Sequence, residues 1–196
     1  RFMRELSLKA NPEYTGKFSV PILWDTKTNT IVNNESAELI VMLNNEFNAV
    51  AKYPEIDLYP KAERSTIDEV ANSFLRGLNS GVYRCGQATT QNDYNEAFDD
   101  VFKTMDMVEE RLAHSHYICG DRLTLADVRL FPTLIRFDAA YVNYFKTNLR
   151  MLKDYKNICD YTRELYQMPA ILSTVNFEHI KGFYFSNTRL NPLGII

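Results

Sequence analysis

The apolar positions of this chain change period near residue 60. Before it, a run at 18–24 is followed by a polar turn at Asp25–Asn29, a short apolar pair, Ile31 and Val32, and then a helical pattern from Glu35 to about residue 47. The alternation predicts an antiparallel pair over 18–24 and 29–32 feeding a helix. Residues 1–17 read as a helix end and loop, stopped by Asn11-Pro12 and turned at Gly16. Residues 49–60 carry two prolines and little periodicity, and read as a linker. Beyond it the spacing is helical. Ile67, Val70, Ala71, Phe74, Leu75 and Leu78 form one buried face of a helix over 59–79, ended by Asn79-Ser80-Gly81. Ala97, Phe98, Val101, Phe102, Met105, Val108 and Leu112 form another over about 90–113. YICGDR (117–122) reads as a loop. Thr124-Leu125-Ala126-Asp127 is a capping box opening a strongly apolar helix, its roles structural. Two shorter helices, about 155–167 and 170–182, are separated by Met168-Pro169, and the last ten residues are irregular.

Within the first sixty residues, VPILWDTKTNTIVNNES (20–36) holds the densest chemistry. A proline inside a strand cannot donate to a ladder and restricts its predecessor. A cis Val20-Pro21 bond resolves this by turning the Val20 peptide outward, its N–H and C=O open to a ligand. Ser36 opens a helix whose first amides suit a carboxylate, and Glu35 beside it accepts an ammonium. Together these describe a receptor for a small peptide zwitterion. The plainer alternative is an N-cap at Asn34 or Ser36 and an edge strand at Val-Pro.

Composition narrows the classes. With 196 residues, 45% apolar and 24% charged, the chain is an ordinary globule of one large or two small domains. A net charge of −3 favours neither nucleic acid nor an anionic membrane, and no apolar run approaches the ~20 residues of a span. Cys85, Cys119 and Cys159 are odd in number and far apart, which suits a reducing, intracellular compartment, the cytoplasm before an organelle. Three histidines without ligand spacing argue against a metal. Twelve Tyr and twelve Phe bias towards pockets for flat aromatic ligands.

The order strand, Val-Pro, strand, Glu-Ser, helix resembles the second half of the thioredoxin-like domain of glutathione transferases. VPILWD and NNES, with SGVYRCGQATTQ (80–91), RFDAAYVNYFKTNLR (136–150) and TVNFEHIKGFYFSNTRLNPLGI (174–195), resemble more narrowly the glutathionyl-hydroquinone reductases, the Xi class. The resemblance implies a mostly α, α+β fold. Residues 1–48 are a partial thioredoxin-like domain, 49–60 the linker and 61–196 an all-α helical bundle with a C-terminal extension. It implies glutathione as co-substrate, held by Val20, Pro21, Glu35 and Ser36, and a hydroquinone pocket lined by Tyr83 and Tyr184. It also implies a homodimer through the helical domain. Phe183 and Ser186-Asn187 depart from the family pattern around the second tyrosine.

In that family a cysteine of a Cys-Pro-Trp motif attacks the thioether sulfur of a glutathionyl-hydroquinone, and a second glutathione resolves the mixed disulfide. No Cys-Pro occurs here. The sequence begins in what reads as a helix tail, and two strands are too little sheet to stand alone. A preceding β-α-β portion bearing the nucleophile is therefore expected upstream of Arg1. Cys85, beside Arg84 in an expected loop, is the one visible substitute, while Cys119 and Cys159 read as small core residues. The alternatives are a catalytically silent scaffold of transferase fold and a broad glutathione conjugase; the GVYRCG and NFEHIKGFYF stretches argue against the latter.

Overall fold

In the computed structural model, which describes residues 3–196, the chain divides into two compact units, Arg1–Pro60 and Lys61–Ile196. The first unit runs α1 (Met3–Ala10), β1 (Leu23–Asp25), β2 (Thr30–Asn33) and α2 (Ser36–Asn45). β1 and β2 are antiparallel, with Leu23 opposite Asn33, Trp24 opposite Ile31 and an irregularity between Leu23 and Trp24. The turn between them is closed by Asp25. Its carboxylate accepts from the Thr28 hydroxyl at 2.6 Å and the Lys27 amide at 2.7 Å, which holds its pKa below the usual value. Asn29 completes the turn at φ 56°, a conformation asparagine tolerates. Lys9 ties α1 to this hairpin, donating to Asn29 Oδ1 and lying 5.4 Å from the Trp24 ring.

The first strand is shorter than its apolar run suggests. Residues 18–22 stand outside it, because Pro21 has no N–H and the Val20-Pro21 bond is cis, as the pattern anticipated. Pairing begins only after the chain has turned.

The second unit is helical: α3 (Arg64–Phe74), α4 (Gly81–Gln87), α5 (Gln91–His114), α6 (Leu125–Arg136), α7 (Val142–Tyr144), α8 (Lys156–Gln167), α9 (Pro169–Leu172) and α10 (Phe177–Phe185). A π turn, Leu75–Asn79, joins α3 to α4, and another, Phe137–Tyr141, joins α6 to α7. α5 is the central rod. Ala97, Val101, Met105 and Val108 on it are essentially inaccessible, and with the equally buried Ile67, Phe74, Leu78, Leu130, Leu134 and Ile158 they belong to the apolar core.

Three expectations are corrected. The helix predicted from residue 59 starts at Arg64 and does not end at Asn79-Ser80-Gly81. It continues into α4, so Cys85 is helical and buried rather than in a loop. The local stop signal loses to packing: Gly77 lies so close to Thr104, and Gly81 to Val101, that an added Cβ would fall 2.0 and 2.9 Å from their side chains. Leu75, placed on the buried face by 3.6-residue spacing, is 39% exposed, because the wider π turn begins there and rotates it outward. The helix expected at 170–182 is two pieces, because Asn176 accepts from the His179 amide at 2.9 Å and caps α10 afresh.

Two acidic side chains hold the helices in register. The fully buried Asp127 carboxylate accepts from the Thr124 amide (2.8 Å) and hydroxyl (3.0 Å), the Ile118 amide (2.9 Å) and the Tyr161 hydroxyl (2.8 Å). Glu109 on α5 accepts from the Asn157 and Ile158 amides, both at 2.9 Å, and so caps α8 from a distance. Replacing Asp127 by alanine strands at least two buried amides and a phenol. Each stranded donor costs about 1–3 kcal/mol, so Asp127→Ala is expected to lower unfolding stability by several kcal/mol in urea titration; a loss within experimental error would refute this role.

Candidate functional site

Each unit carries a cluster of sequence-predicted residues. In the first, Asn34 is the organiser. Its amide donates to the Ser19 carbonyl at 3.1 Å and the Pro21 carbonyl at 2.5 Å, while the Ser19 hydroxyl donates back at 3.3 Å. This clasps the Val-Pro loop to the segment between β2 and α2. Val20 is 70% exposed, and among the described residues none of the hydrogen bonds uses its N–H or C=O. Glu35, not Asn34 or Ser36, is the N-cap of α2: its carboxylate accepts from the Ala37 amide at 3.2 Å and the Ser36 hydroxyl at 3.4 Å. Asn33 fixes Glu35 in turn, accepting from its amide at 2.7 Å. Loop peptide, carboxylate and helix start thus lie on one exposed edge of the unit. The clasp by Asn34 was not anticipated, although an Asn before a cap position is its visible trace.

In the second unit, Tyr83 on α4 and Tyr184 on α10 meet although 101 residues separate them, their hydroxyl oxygens 2.6 Å apart. A third tyrosine, unanticipated, completes a chain: the Tyr141 hydroxyl lies 3.0 Å from that of Tyr184. Accessibility rises along it, from 2% at Tyr141 through 6% at Tyr184 to 36% at Tyr83. Phe145 braces the group, stacked on Tyr141 at 5.4 Å and 4° and meeting Tyr83 at 5.1 Å. The chain flanks a cavity of about 350 Å³ whose lining includes Tyr83, Gly86, Tyr144, Phe145, Phe183 and Tyr184. Its placement depends on the π turns. One precedes α4; the other contains Tyr141 itself and follows Pro132, an interior helix proline whose carbonyl Arg136 takes up at 2.9 Å.

The electrostatics suit neutral phenols. Burial, then the neighbouring phenols, push the Tyr141 hydroxyl well above its ordinary pKa; burial likewise raises Tyr184, partly offset by its bond to Tyr141. The cavity therefore offers hydrogen-bond donors to an oxygen that gains charge. Cys85 is pushed up to about 11, chiefly by burial, which outweighs the attraction of Arg84. Burial also raises Cys119. Neither has the lowered pKa of a nucleophilic thiol. Among the described residues, no group of three or more His, Cys, Asp or Glu is arranged to hold a metal ion, and no helix is long and apolar enough to cross a membrane.

A family profile described as "Glutathione S-transferase, C-terminal domain" matches residues 91–164. Over its full length the chain is 45% identical to glutathionyl-hydroquinone reductase YqjG of Escherichia coli and 44% identical to glutathionyl-hydroquinone reductase PcpF of Sphingobium chlorophenolicum. The chain spans 60% and 62% of these relatives. A structure of YqjG with glutathione bound superposes with a TM-score of 0.95, over all of this chain and 64% of that one. Glutathione transferase Xi 1 of Trametes versicolor superposes with a TM-score of 0.95 at 44% identity, over 99% of this chain and 68% of that one. The chain belongs to the Xi-class glutathione transferases. Its fold is that of the class, a thioredoxin-like portion followed by a helical domain.

The raised phenols give a pH dependence with a definite sign. Below about pH 10, the ordinary tyrosine pKa, Tyr141 and Tyr184 are neutral in both folded and unfolded chains and their contribution is complete. Above it the unfolded phenols ionise while the folded ones hold their protons, so stability falls as pH rises. Urea midpoints are expected to drop from pH 8 to 10.5 more steeply for the native sequence than for Tyr141→Phe; parallel slopes would contradict it.

Proposed function

We propose that this protein is a glutathione-dependent reductase of glutathionyl-hydroquinones. The observation that carries the reading is the Tyr83–Tyr184 hydroxyl pair, 2.6 Å apart at an aromatic cavity. Its support from outside is the naming of two relatives for this activity and a relative's structure with glutathione bound. In this reading residues 1–48 are the partial thioredoxin-like domain, 49–60 the linker and 61–196 the helical domain, supported by the division into compact units at Pro60. Val20 and Pro21 present the loop peptide to the cysteinyl part of glutathione, while Glu35 and Ser36 take its γ-glutamyl ammonium and carboxylate. The protein works as a homodimer inside the cell.

The nucleophile is a cysteine upstream of Arg1, supported by the relatives' greater length and by the burial that keeps Cys85 protonated. Its thiolate attacks the thioether sulfur. The S–C bond breaks with its electron pair going to the ring carbon, which takes a proton, and hydroquinone leaves. A glutathione thiolate then attacks the mixed disulfide, releasing glutathione disulfide and the cysteine. Net, one glutathione is oxidised and one aryl thioether reduced. Tyr83 and Tyr184 donate to the phenolic oxygen and steady the charge that builds while the bond breaks.

In the whole protein, Tyr83→Phe and Tyr184→Phe are expected to cut turnover of a glutathionyl-hydroquinone by ~10²–10³, the cost of one oxyanion-type donor, with glutathione affinity nearly intact. The double variant should be less than additive. Cys85→Ser should keep full rate. Turnover unaffected by either tyrosine sinks the site; binding of glutathione without turnover in the native protein favours the scaffold reading.

Glu35→Ala is expected to weaken glutathione by about 1.5–3 kcal/mol, the range for a hydrogen bond to a charged group. Calorimetry giving native affinity in a folded variant would remove Glu35 from the glutathione site.

A further inference from the structure

A second cavity, of about 570 Å³, lies beside the tyrosine pocket. The two share Gly86, Tyr144, Phe145, Arg189 and Leu190 as walls, so they are neighbours. Their chemistry differs. The first presents five aromatic rings, with Gln87, Asn187 and Arg189 beside them. The second is lined by polar groups, among them Thr90, Gln91, Tyr94, Lys146, Asn148 and Arg189, and no aspartate or glutamate lines it. Among the described residues neither Lys146 nor Arg189 takes part in an ion pair.

Two further features favour negative charge there. Thr90 and Gln91 are the cap and first residue of α5, a helix of 24 residues, whose N-terminal amides carry partial positive charge; the Asp93 carboxylate in that first turn, which accepts from the Thr90 hydroxyl at 2.7 Å, offsets part of it. Lys146 has φ 62°, a left-handed conformation that is strained for a residue with a Cβ. The fold maintains it through the Tyr94 hydroxyl, which donates to the Lys146 carbonyl at 2.7 Å. A cation is thus held in an unfavourable backbone state at the wall of a polar cavity.

We propose that this cavity receives an anionic substituent of the aromatic ligand. The ring lies in the tyrosine pocket and a carboxylate borne on it reaches between Lys146 and Arg189. This rests on the reading of the tyrosine pocket as a hydroquinone site, and narrows its substrates to hydroquinones that carry a carboxylate. Two uncompensated cations beside a ring-lined pocket discriminate such a compound from its neutral counterpart, because the ester cannot offer them a charge.

The test compares 2,5-dihydroxybenzoate with its methyl ester by calorimetry on the whole protein. The acid is expected to bind about tenfold tighter than the ester. Lys146→Gln and Arg189→Gln should each erase about threefold of that preference, in keeping with partly exposed charge pairs, and the double variant nearly all of it. Equal affinity for acid and ester, failure of both to bind, or a preference that survives the double variant overturns the proposal. So does a loss that falls on glutathione instead of the acid, since the anion then held would be glutathione's own carboxylate. Turnover of an uncharged glutathionyl-hydroquinone is measured in parallel. Its absence refutes the reductase reading, while the acid–ester comparison is decided by binding alone.

Discussion

A carboxylate closed off from water must find all its hydrogen bonds inside, and Asp127 finds four, drawn from the loop before α6, the cap of α6 and the side of α8. The helical unit depends on that constraint. The bond to Thr124 sets where α6 begins, the bond to Ile118 folds the preceding loop beneath it, and the bond to Tyr161 fixes α8 alongside. With the start of α6 fixed, its length brings Pro132 and then the π turn to a determined place, and Tyr141 with them. Glu109 makes the complementary connection from α5 to the first amides of α8. Desolvating such groups is costly, and this favours one arrangement over near alternatives in which a donor is left without a partner.

How much of this could be read from residues alone follows from the range of each signal. Helix faces such as Ile67, Val70, Ala71 and Phe74 were legible because a 3.6-residue period needs only local spacing, and so was the capping box at Thr124-Asp127. The stop expected at Asn79-Ser80-Gly81 failed because glycine has two uses that look alike in a sequence. Here Gly77 and Gly81 admit α5 at close range instead of ending a helix. The strand expected over 18–24 failed for the opposite reason: apolar content marks burial, whereas pairing needs N–H groups and a direction that the cis Val20-Pro21 bond interrupts.

The candidate residues were legible to different depths. Tyr83 and Tyr184 came from resemblance, since no periodicity brings together positions 101 apart. Tyr141 was missed although its stretch, 136–150, was singled out. A tyrosine followed by apolar residues in a helix reads as packing, and only the π turn aims its hydroxyl at Tyr184. Asn34 was read as a possible cap, yet its amide serves two carbonyls of the Val-Pro loop. Both are cases where a side chain's role is set by a backbone irregularity.

That irregularity bears on how the tyrosine chain can work. In each π turn an amide bonds five residues back, Ser80 to Leu75 and Val142 to Phe137, so the turn is wider than an α-helical one and shifts the face that follows. The result is a line of hydroxyls running from the core outward. A lone phenol as deep as Tyr141 would be left with an unmet hydroxyl, and a pair that had to part for a ligand would leave one hydroxyl orphaned. Three in sequence avoid both costs. In the role proposed for it, a ligand oxygen that takes the place of Tyr184 beside Tyr83 leaves Tyr184 bonded to Tyr141. Under that proposal the exposed end of the chain serves the ligand while the buried end stays satisfied, which a surface donor would need to serve a charge that appears and then departs.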